Sequence, residues 1–260
     1  MKPELLSIAM FPGESFNTEE SLGRLLDIFE ANPKLFPTRW GNSEVVKVEY
    51  DRQEIIEKAA SEGRIFELYL HRDKAVKYSG MFDIHWNPRS YLKVDFHKSI
   101  PNKIIPALFE ASDQIAQLVK PVYGVTHMFG PSVYPWGNDR ERLQVWMDVC
   151  GYPIPVRFFS NGPLGIGVRT YFSGQILEMF GKDFLLSCPG EVRELEWGGI
   201  CIDVLKHPEE ADGSSLLDHW LTAMEYLQSS QVMAIPHFDD DRMGVSFSSN
   251  TIWKKYLNEV

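Results

Sequence analysis

Polar and apolar residues alternate along residues 81–98, which have the sequence MFDIHWNPRSYLKVDFHK. Alternation with a period of two is typical of strands that bury one face, and NPRS between the two runs is a turn signal. The pattern predicts two antiparallel strands with the pairs Phe82 with Phe96, Ile84 with Val94 and Trp86 with Leu92. This register places Asp83 opposite Asp95 on the outer face.

The preceding segment alternates in the same way, so residues 65–97 are predicted to form a meander of strands. Its further inward residues are Phe66, Leu68, Leu70, Val76, Tyr78 and Gly80. Its outward residues are Glu67, Tyr69, His71, Asp83, His85, Lys93, Asp95 and His97. Three of the chain's seven histidines are therefore expected on one exposed surface together with two aspartates.

Helical spacing of apolar residues appears in several other segments. The first helix is predicted to start at the capping pair Asn17 and Glu20 and to end at Pro33. Two further helices are predicted in the first half, one that begins at Asp51 and one that contains Ile104 to Leu118. Three are predicted in the second half: YFSGQILEMFGKD, with Gly181 as its C-terminal cap, DGSSLLDHWLTAMEYLQ, and a last helix that begins at Asn250. The strands predicted in the second half are PIPVRFF, LGIGVRT, GGICIDVL as a central strand, and VMAIPHF with MGVSFS as a hairpin.

This order of elements predicts an α+β fold, with antiparallel sheets, helices packed on one face and two related-looking halves. The first half is residues 1–130, including the meander. The second half is residues 131–260, after a connection rich in Gly, Pro and aromatic residues. The two halves are expected to pack together as one globular unit.

The net charge and the cysteine content indicate which kinds of partner and which compartment to expect. The chain has 260 residues and a formal net charge of -10, which argues against nucleic acid or an anionic membrane as the main partner. The three cysteines, Cys150, Cys188 and Cys201, follow no metal-binding or disulfide pattern and are predicted to be buried thiols. With no signal peptide or long apolar span in the sequence, a cytoplasmic protein is expected.

Motifs for catalysis are not found in the sequence. The glycines of SNGPLGIGVR do not have dinucleotide-binding spacing, and Gly181-Lys182 is followed by Asp183, where a phosphate loop needs Ser or Thr. No nucleophile elbow or zinc-protease motif occurs. The sequence therefore predicts no catalytic residue and no cofactor.

Two acidic–histidine clusters remain as candidate sites. His237 and the three aspartates from Asp239 to Asp241 could hold a divalent ion, or could form only a polar hairpin tip. The outer face of the meander could hold a metal ion, bind a protein or simply be solvated. Like charges opposite each other in a sheet are mildly destabilising, and a basic partner would offset that cost.

Two tryptophans precede glycines in proline-containing loops, Trp40 in PTRWG and Trp136 in YPWGN. Tryptophan is enriched in the energetically dominant positions of protein interfaces. It also covers the edges of cores, and the sequence leaves both alternatives open.

Four segments resemble bacterial immunity proteins of type VI secretion and polymorphic-toxin systems. They are PTRWGNSE, YFSGQILEMFGKDFLLSCPG, EWGGICIDVL and DGSSLLDHWLTAMEYL, mainly within residues 165–228. The resemblance implies a non-enzymatic protein that binds and neutralises a co-produced toxin. Because contact surfaces differ between pairs of such proteins, it transfers no contact residue to this chain.

The leading hypothesis is a cytoplasmic binding protein that neutralises a co-encoded toxin with a basic surface. The predicted partner-binding residues are Asp83, His85, Asp95, His97, Trp40 and Trp136, and charge reversal at Asp83 or Asp95 is predicted to weaken binding. The alternatives are a metal-dependent hydrolase that uses one of the Asp/His clusters, and a scaffolding module.

Overall fold

The structure, a computed structural model, describes residues 3–97, 100–133, 138–208, 210, 212–239 and 244–259. The chain divides into two compact units, one spanning residues 2–121 and the other residues 122–260. Within the described residues, no helix has both the length and the apolar character needed to cross a bilayer. That the two halves pack as one globular unit stays a prediction.

The strands of the N-terminal unit are β1 (Leu5–Phe11), β2 (Arg39–Gly41), β3 (Val48–Glu49), β4 (Glu67–Arg72), β5 (Tyr78–Asp83) and β6 (Leu92–Phe96). They lie side by side in the order β3, β2, β4, β5, β6, β1. All of these neighbours are antiparallel. The meander predicted from alternation is therefore confirmed, and it is the centre of this sheet.

The helices of this unit are α1 (Glu19–Glu30), α2 (Arg52–Ile56), which continues into a π-helical turn at Glu57–Ser61, and α3 (Ile105–Val119) after a 3-10 turn at Asn102–Ile104. Thr18 caps α1 through a reciprocal pair with Ser21, one residue later than the predicted pair. Phe29 of α1 packs against Tyr78 and Phe82 of β5. The even-numbered face of the sheet is thus the face that the helices cover.

The C-terminal unit contains β7 (Tyr123–Phe129), β8 (Arg169–Phe172), β9 (Glu191–Glu194), β10 (Ile200–Asp203) and the hairpin of β11 (Ile235–Asp239) and β12 (Gly244–Ser248). Its helices are α4 (Asp139–Cys150), α5 (Pro155–Asn161), α6 (Gly174–Phe180), α7 (Lys182–Leu186), α8 (Gly213–Gln228) and α9 (Thr251–Glu259). The strand order is β7, β8, β10, β9, so GGICIDVL does supply an interior strand. Trp220 of α8 is wholly buried, and its indole N–H donates to the Ile166 carbonyl oxygen at 2.6 Å.

The predicted α+β class is confirmed, and so are the three buried thiols. The strand predicted for PIPVRFF is wrong, because residues 155–161 form α5. Pro155 occupies the first turn of that helix, where its missing N–H would have no intrahelical partner. A proline at the start of this short apolar run therefore favours a helix over the predicted strand.

The predicted register of the meander is also wrong. Phe82 pairs with Leu92, and Asp95 pairs with Ser79, a shift of four residues from the predicted pairing. The connection between β5 and β6 is longer than NPRS, because Tyr91 N–H already donates to the Asp83 carboxylate at 2.8 Å and closes the loop there. Asp83 and Asp95 still share one face, but they do not face each other.

Candidate partner-binding surface

The odd-numbered face of the N-terminal sheet is exposed at one side and buried at the other. At β1, Ser7 and Ala9 have no exposed surface, whereas Glu67 on β4 is exposed. His71 is also buried, with 5% of its surface exposed. On the outer face predicted from alternation, Glu67 and His97 are exposed, and Tyr69, Asp83, His85 and Lys93 are partly exposed.

Asp95 lies on the buried side of this face and is 8% exposed. Ser7 Oγ donates a hydrogen bond of 2.7 Å to Asp95 Oδ1, and Lys93 Nζ lies 3.0 Å from Asp95 Oδ2. These contacts show that Asp95 links neighbouring strands. It has little surface to offer a partner, contrary to our prediction from the sequence.

The other predicted residues are dispersed. Trp40 is 3% exposed, with Lys58 Nζ 5.6 Å above its ring, so it is a core residue. His97 is exposed, but it lies at the opposite end of β5 from Asp83, with its Nε2 3.5 Å from Ser79 Oγ. Trp136 lies outside the described residues. Of the five predicted residues that the structure describes, only Asp83 and His85 lie at the same end of the sheet.

These two residues belong to a cluster that we call the acidic–aromatic patch: Phe66, Glu67, Asp83, His85 and Trp86. Glu67 and Asp83 face each other across β4 and β5. The Phe66 ring lies 4.9 Å from the His85 ring. Phe66 is 64% exposed and Trp86 is 49% exposed, so two large apolar side chains are accessible at the strand ends that carry these carboxylates. Alternation had assigned both aromatic residues to the core, and that prediction is wrong.

The ends of the strands explain why these aromatic residues are exposed. Phe66 precedes the first residue of β4, and its neighbour Ile65 occupies the buried position. Trp86 follows β5 in the loop, where its side chain is no longer held to the alternation of the strand. Alternation predicts on which face of the sheet a side chain lies only where the residue belongs to a pleated strand.

Segment 12–17 holds two residues of the patch, Trp86 and His85. The Trp86 indole N–H donates to the Pro12 carbonyl oxygen at 3.0 Å, and Trp86 N donates to Ser15 Oγ at 3.4 Å. Asn17 Nδ2 donates to His85 Nδ1 at 3.0 Å, so the neutral ring carries its proton on Nε2. A surface whose side chains are already held loses less conformational entropy when it binds.

The two carboxylates create a local negative potential. Burial, with a further contribution from Glu67, raises the pKa of Asp83 above its usual range, against the opposing effect of the Tyr91 N–H. Burial and the hydrogen bond of 2.9 Å that the Tyr69 hydroxyl donates to Glu67 raise the pKa of Tyr69 to about 12. A cation placed here would relieve the repulsion between the carboxylates and favour the ionised form of Asp83.

The raised pKa of Asp83 predicts how stability responds to pH. The ionised form is disfavoured in the folded protein, so this residue lowers stability as the pH rises through its raised pKa. Asp83→Asn retains an oxygen for the Tyr91 N–H and removes the charge. We expect the variant to melt about 2 °C higher than the parent at pH 7, consistent with a change below about 1 kcal/mol. The difference should disappear near pH 3, where Asp83 is protonated in both states. Thermal melts across this range check the prediction, and a difference that is independent of pH would contradict it.

Other titratable groups lie in surroundings different from those of the acidic–aromatic patch. His127 is wholly buried, with its Nε2 3.3 Å from Asp148 Oδ1. Burial raises the pKa of the Cys150 thiol well above its usual value, which leaves the thiol unreactive. In the second acidic–histidine cluster, His237 Nε2 lies 2.8 Å from Ser248 Oγ, while Asp240 and Asp241 lie outside the described residues. Across the described part of the chain, no group of three or more His, Cys, Asp or Glu side chains is placed to hold a metal ion.

Comparison with known proteins gives a likeness in fold. No protein-family model matches the chain, and no curated protein sequence matches it. Among solved structures, the fold is similar to that of a bacterial protein with which the chain shares 13% sequence identity, at a TM-score of 0.59. That protein is described as the Pseudomonas aeruginosa T6SS protein PA0821, and the match covers 98% of this chain and 81% of the other. At this level of identity the likeness shows the fold.

Proposed function

We propose that the chain is a non-enzymatic binding protein that neutralises a co-encoded bacterial toxin by direct association, in a type VI secretion context. The observation that carries the proposal is the acidic–aromatic patch, in which the exposed residues Phe66 and Trp86 lie at the strand ends that carry Glu67 and Asp83. The likeness in fold to a protein described as a T6SS protein supports the secretion context. The sequence resemblance to immunity proteins points in the same direction.

The patch favours a partner with a basic surface. Trp86 and Phe66 would supply buried apolar area at the centre of the contact, and Glu67 and Asp83 would pair with Lys or Arg of the toxin. The net charge of -10 would add long-range attraction to a basic partner and speed association. Occupation of the toxin surface by this rigid patch would then block the toxin's activity.

The first test is co-purification of the tagged protein from its own cells, with the bound proteins identified by mass spectrometry and the metal content of the eluate measured. We expect to recover one basic protein, encoded by a gene next to the gene for this chain. That protein should regain its toxicity when this chain is removed. An eluate without such a protein would overturn the proposal. Stoichiometric zinc or another divalent ion in that eluate would instead favour the metal-dependent hydrolase.

Charge reversal at the patch tests the electrostatic part of the proposal. Glu67→Lys is expected to weaken binding of the co-purified partner by about tenfold at low salt, mainly through slower association. Salt should reduce the difference because exposed charges are screened. Glu110→Lys reverses an exposed charge on α3 of the same unit and is expected to bind normally. Surface plasmon resonance at two ionic strengths measures both variants, and equal rates for parent and Glu67→Lys would exclude steering by the patch.

A further inference from the structure

A groove of about 830 Å³ lies at the β3 end of the N-terminal strand order, around β2 and β3. We call it the cationic groove and define it by Phe36, Arg39, Tyr50, Arg72 and Lys74. Phe36 is 41% exposed, and its ring meets the Tyr50 ring edge-on at 5.4 Å. The groove therefore combines an accessible aromatic ring with three cationic side chains.

The carboxylates in the groove wall already have partners or lie opposite a cation. Glu30 accepts hydrogen bonds from the Tyr50 hydroxyl at 2.7 Å and from the Arg52 guanidinium. Asp73 lies 3.0 Å from the Arg39 guanidinium. The remaining carboxylate in the lining, Glu49, is paired with Arg39 in the β2–β3 register. Arg39 and Arg52 are thus engaged with carboxylates, whereas no ion pair joins Arg72 or Lys74 to a carboxylate of the described residues.

Arg72 and Lys74 have no carboxylate partner among the residues that the structure describes. Arg72 donates to the carbonyl oxygen of Phe36, and its Nε is buried without a hydrogen-bond partner in the described part of the chain. Lys74 is exposed in the loop after β4. Two uncompensated cations side by side are unusual in a chain with a net charge of -10, and a buried N–H without an acceptor is costly. Both features favour an anionic ligand at this groove.

The surroundings favour a peptide as that ligand. An apolar side chain of a peptide would pack on the Phe36 ring, whereas a simple anion has no apolar group to do so. Strand β3 stands at the end of the strand order, next to β2, and its other edge pairs with no strand of the described chain. Val45, Val46 and Val48 are exposed along this segment. An exposed strand edge beside apolar side chains is the arrangement to which extended peptides add.

We propose that the cationic groove binds an extended acidic segment of a partner protein. A carboxylate of that segment pairs with Arg72 and Lys74, an apolar side chain packs on Phe36, and the backbone runs beside β3. The guanidinium of Arg72 is suited to this role because its planar fork matches the geometry of a carboxylate. The proposal goes beyond toxin neutralisation and does not depend on it, since it concerns different residues and the opposite sign of charge.

The test uses the full chain and three probes followed by ¹H–¹⁵N NMR. The first is the acetylated and amidated peptide Val-Glu-Val-Glu-Val, the second replaces both glutamates with lysine, and the third is inorganic phosphate. We expect the glutamate peptide to shift the amide signals of residues 36–39, 48–50 and 72–74. The lysine peptide should shift none of them. Phosphate that reproduces all of these shifts at the same concentration would overturn the peptide proposal and indicate a simple anion site.

Matched variants test the assignment to this groove. Lys74→Glu is expected to weaken binding of the glutamate peptide at least fivefold, whereas Lys77→Glu, an exposed change just outside the groove lining, should leave it within twofold of the parent. Both positions are exposed, so thermal melts should show both variants folded. Equal binding by the parent and Lys74→Glu, or shifts confined to other residues, would reject the groove as the site.

Discussion

Trp86→Ala is expected to weaken association with the toxin partner by at least about 2 kcal/mol, which is roughly 30-fold in Kd. About half of Trp86 is already buried, and its indole N–H donates to the Pro12 carbonyl oxygen, so little further rotamer freedom is lost when a partner covers the exposed half. A tryptophan fixed in this way at the centre of a contact typically contributes much of its binding energy. Isothermal titration calorimetry with the co-purified toxin measures the change.

Two further variants separate a contact from a loss of fold. Phe66→Ala removes the second ring of the patch, which is 64% exposed, and should also reduce affinity while leaving stability almost unchanged. Val156→Ala removes an exposed apolar side chain from α5, in the other unit, and should have no effect on affinity. Normal affinity in both Trp86→Ala and Phe66→Ala would show that the toxin binds elsewhere.

The face of each residue within the meander could be predicted from sequence, because side chains in a strand point alternately to two sides. Leu68, Leu70, Phe82 and Val94 are buried as expected. The register could not be predicted in the same way, since a shift by any even number of residues leaves that pattern intact. The observed register is instead set by the loop between β5 and β6, where the Asp83 carboxylate accepts the Tyr91 N–H.

Alternation of polar and apolar residues predicted only part of the candidate site. His85 and Asp83 were found because they alternate with apolar residues. Phe66 and Trp86 were assigned to the core because a large apolar residue at an even position matches that pattern, and only the strand ends exclude them. In contrast, β1 was missed, because LLSIAMF is buried on both faces and so shows no alternation.

The burial of Asp95 was not predicted either, because it also depends on β1. Nothing in the sequence indicates that β1 lies beside β6, since residues 7 and 95 are far apart along the chain. Once β1 is paired there, Ser7 stands opposite Asp95 and the carboxylate becomes part of the sheet interior. A residue that looked like a surface charge is therefore a link between strands, and this predicts a different effect of mutation.

Asp95→Ala is expected to lower the free energy of unfolding by about 2–4 kcal/mol. The substitution leaves the Ser7 hydroxyl, which is wholly buried, without the acceptor 2.7 Å away, and it removes the partner of Lys93. Because Asp95 is 8% exposed, water cannot readily replace the lost interactions. Urea titration followed by circular dichroism measures the change.

Two controls identify the source of this loss of stability. Asp95→Asn keeps an acceptor for Ser7 but loses the charge, so it should lower the free energy of unfolding by less than Asp95→Ala does. Ser7→Ala in the Asp95→Ala background should recover part of the stability. Both results follow if the main penalty is an unsatisfied buried hydroxyl group. If Asp95→Ala instead retains its stability but loses affinity for the toxin, Asp95 acts at the interface, as the sequence first suggested, and the buried role assigned to it here is wrong.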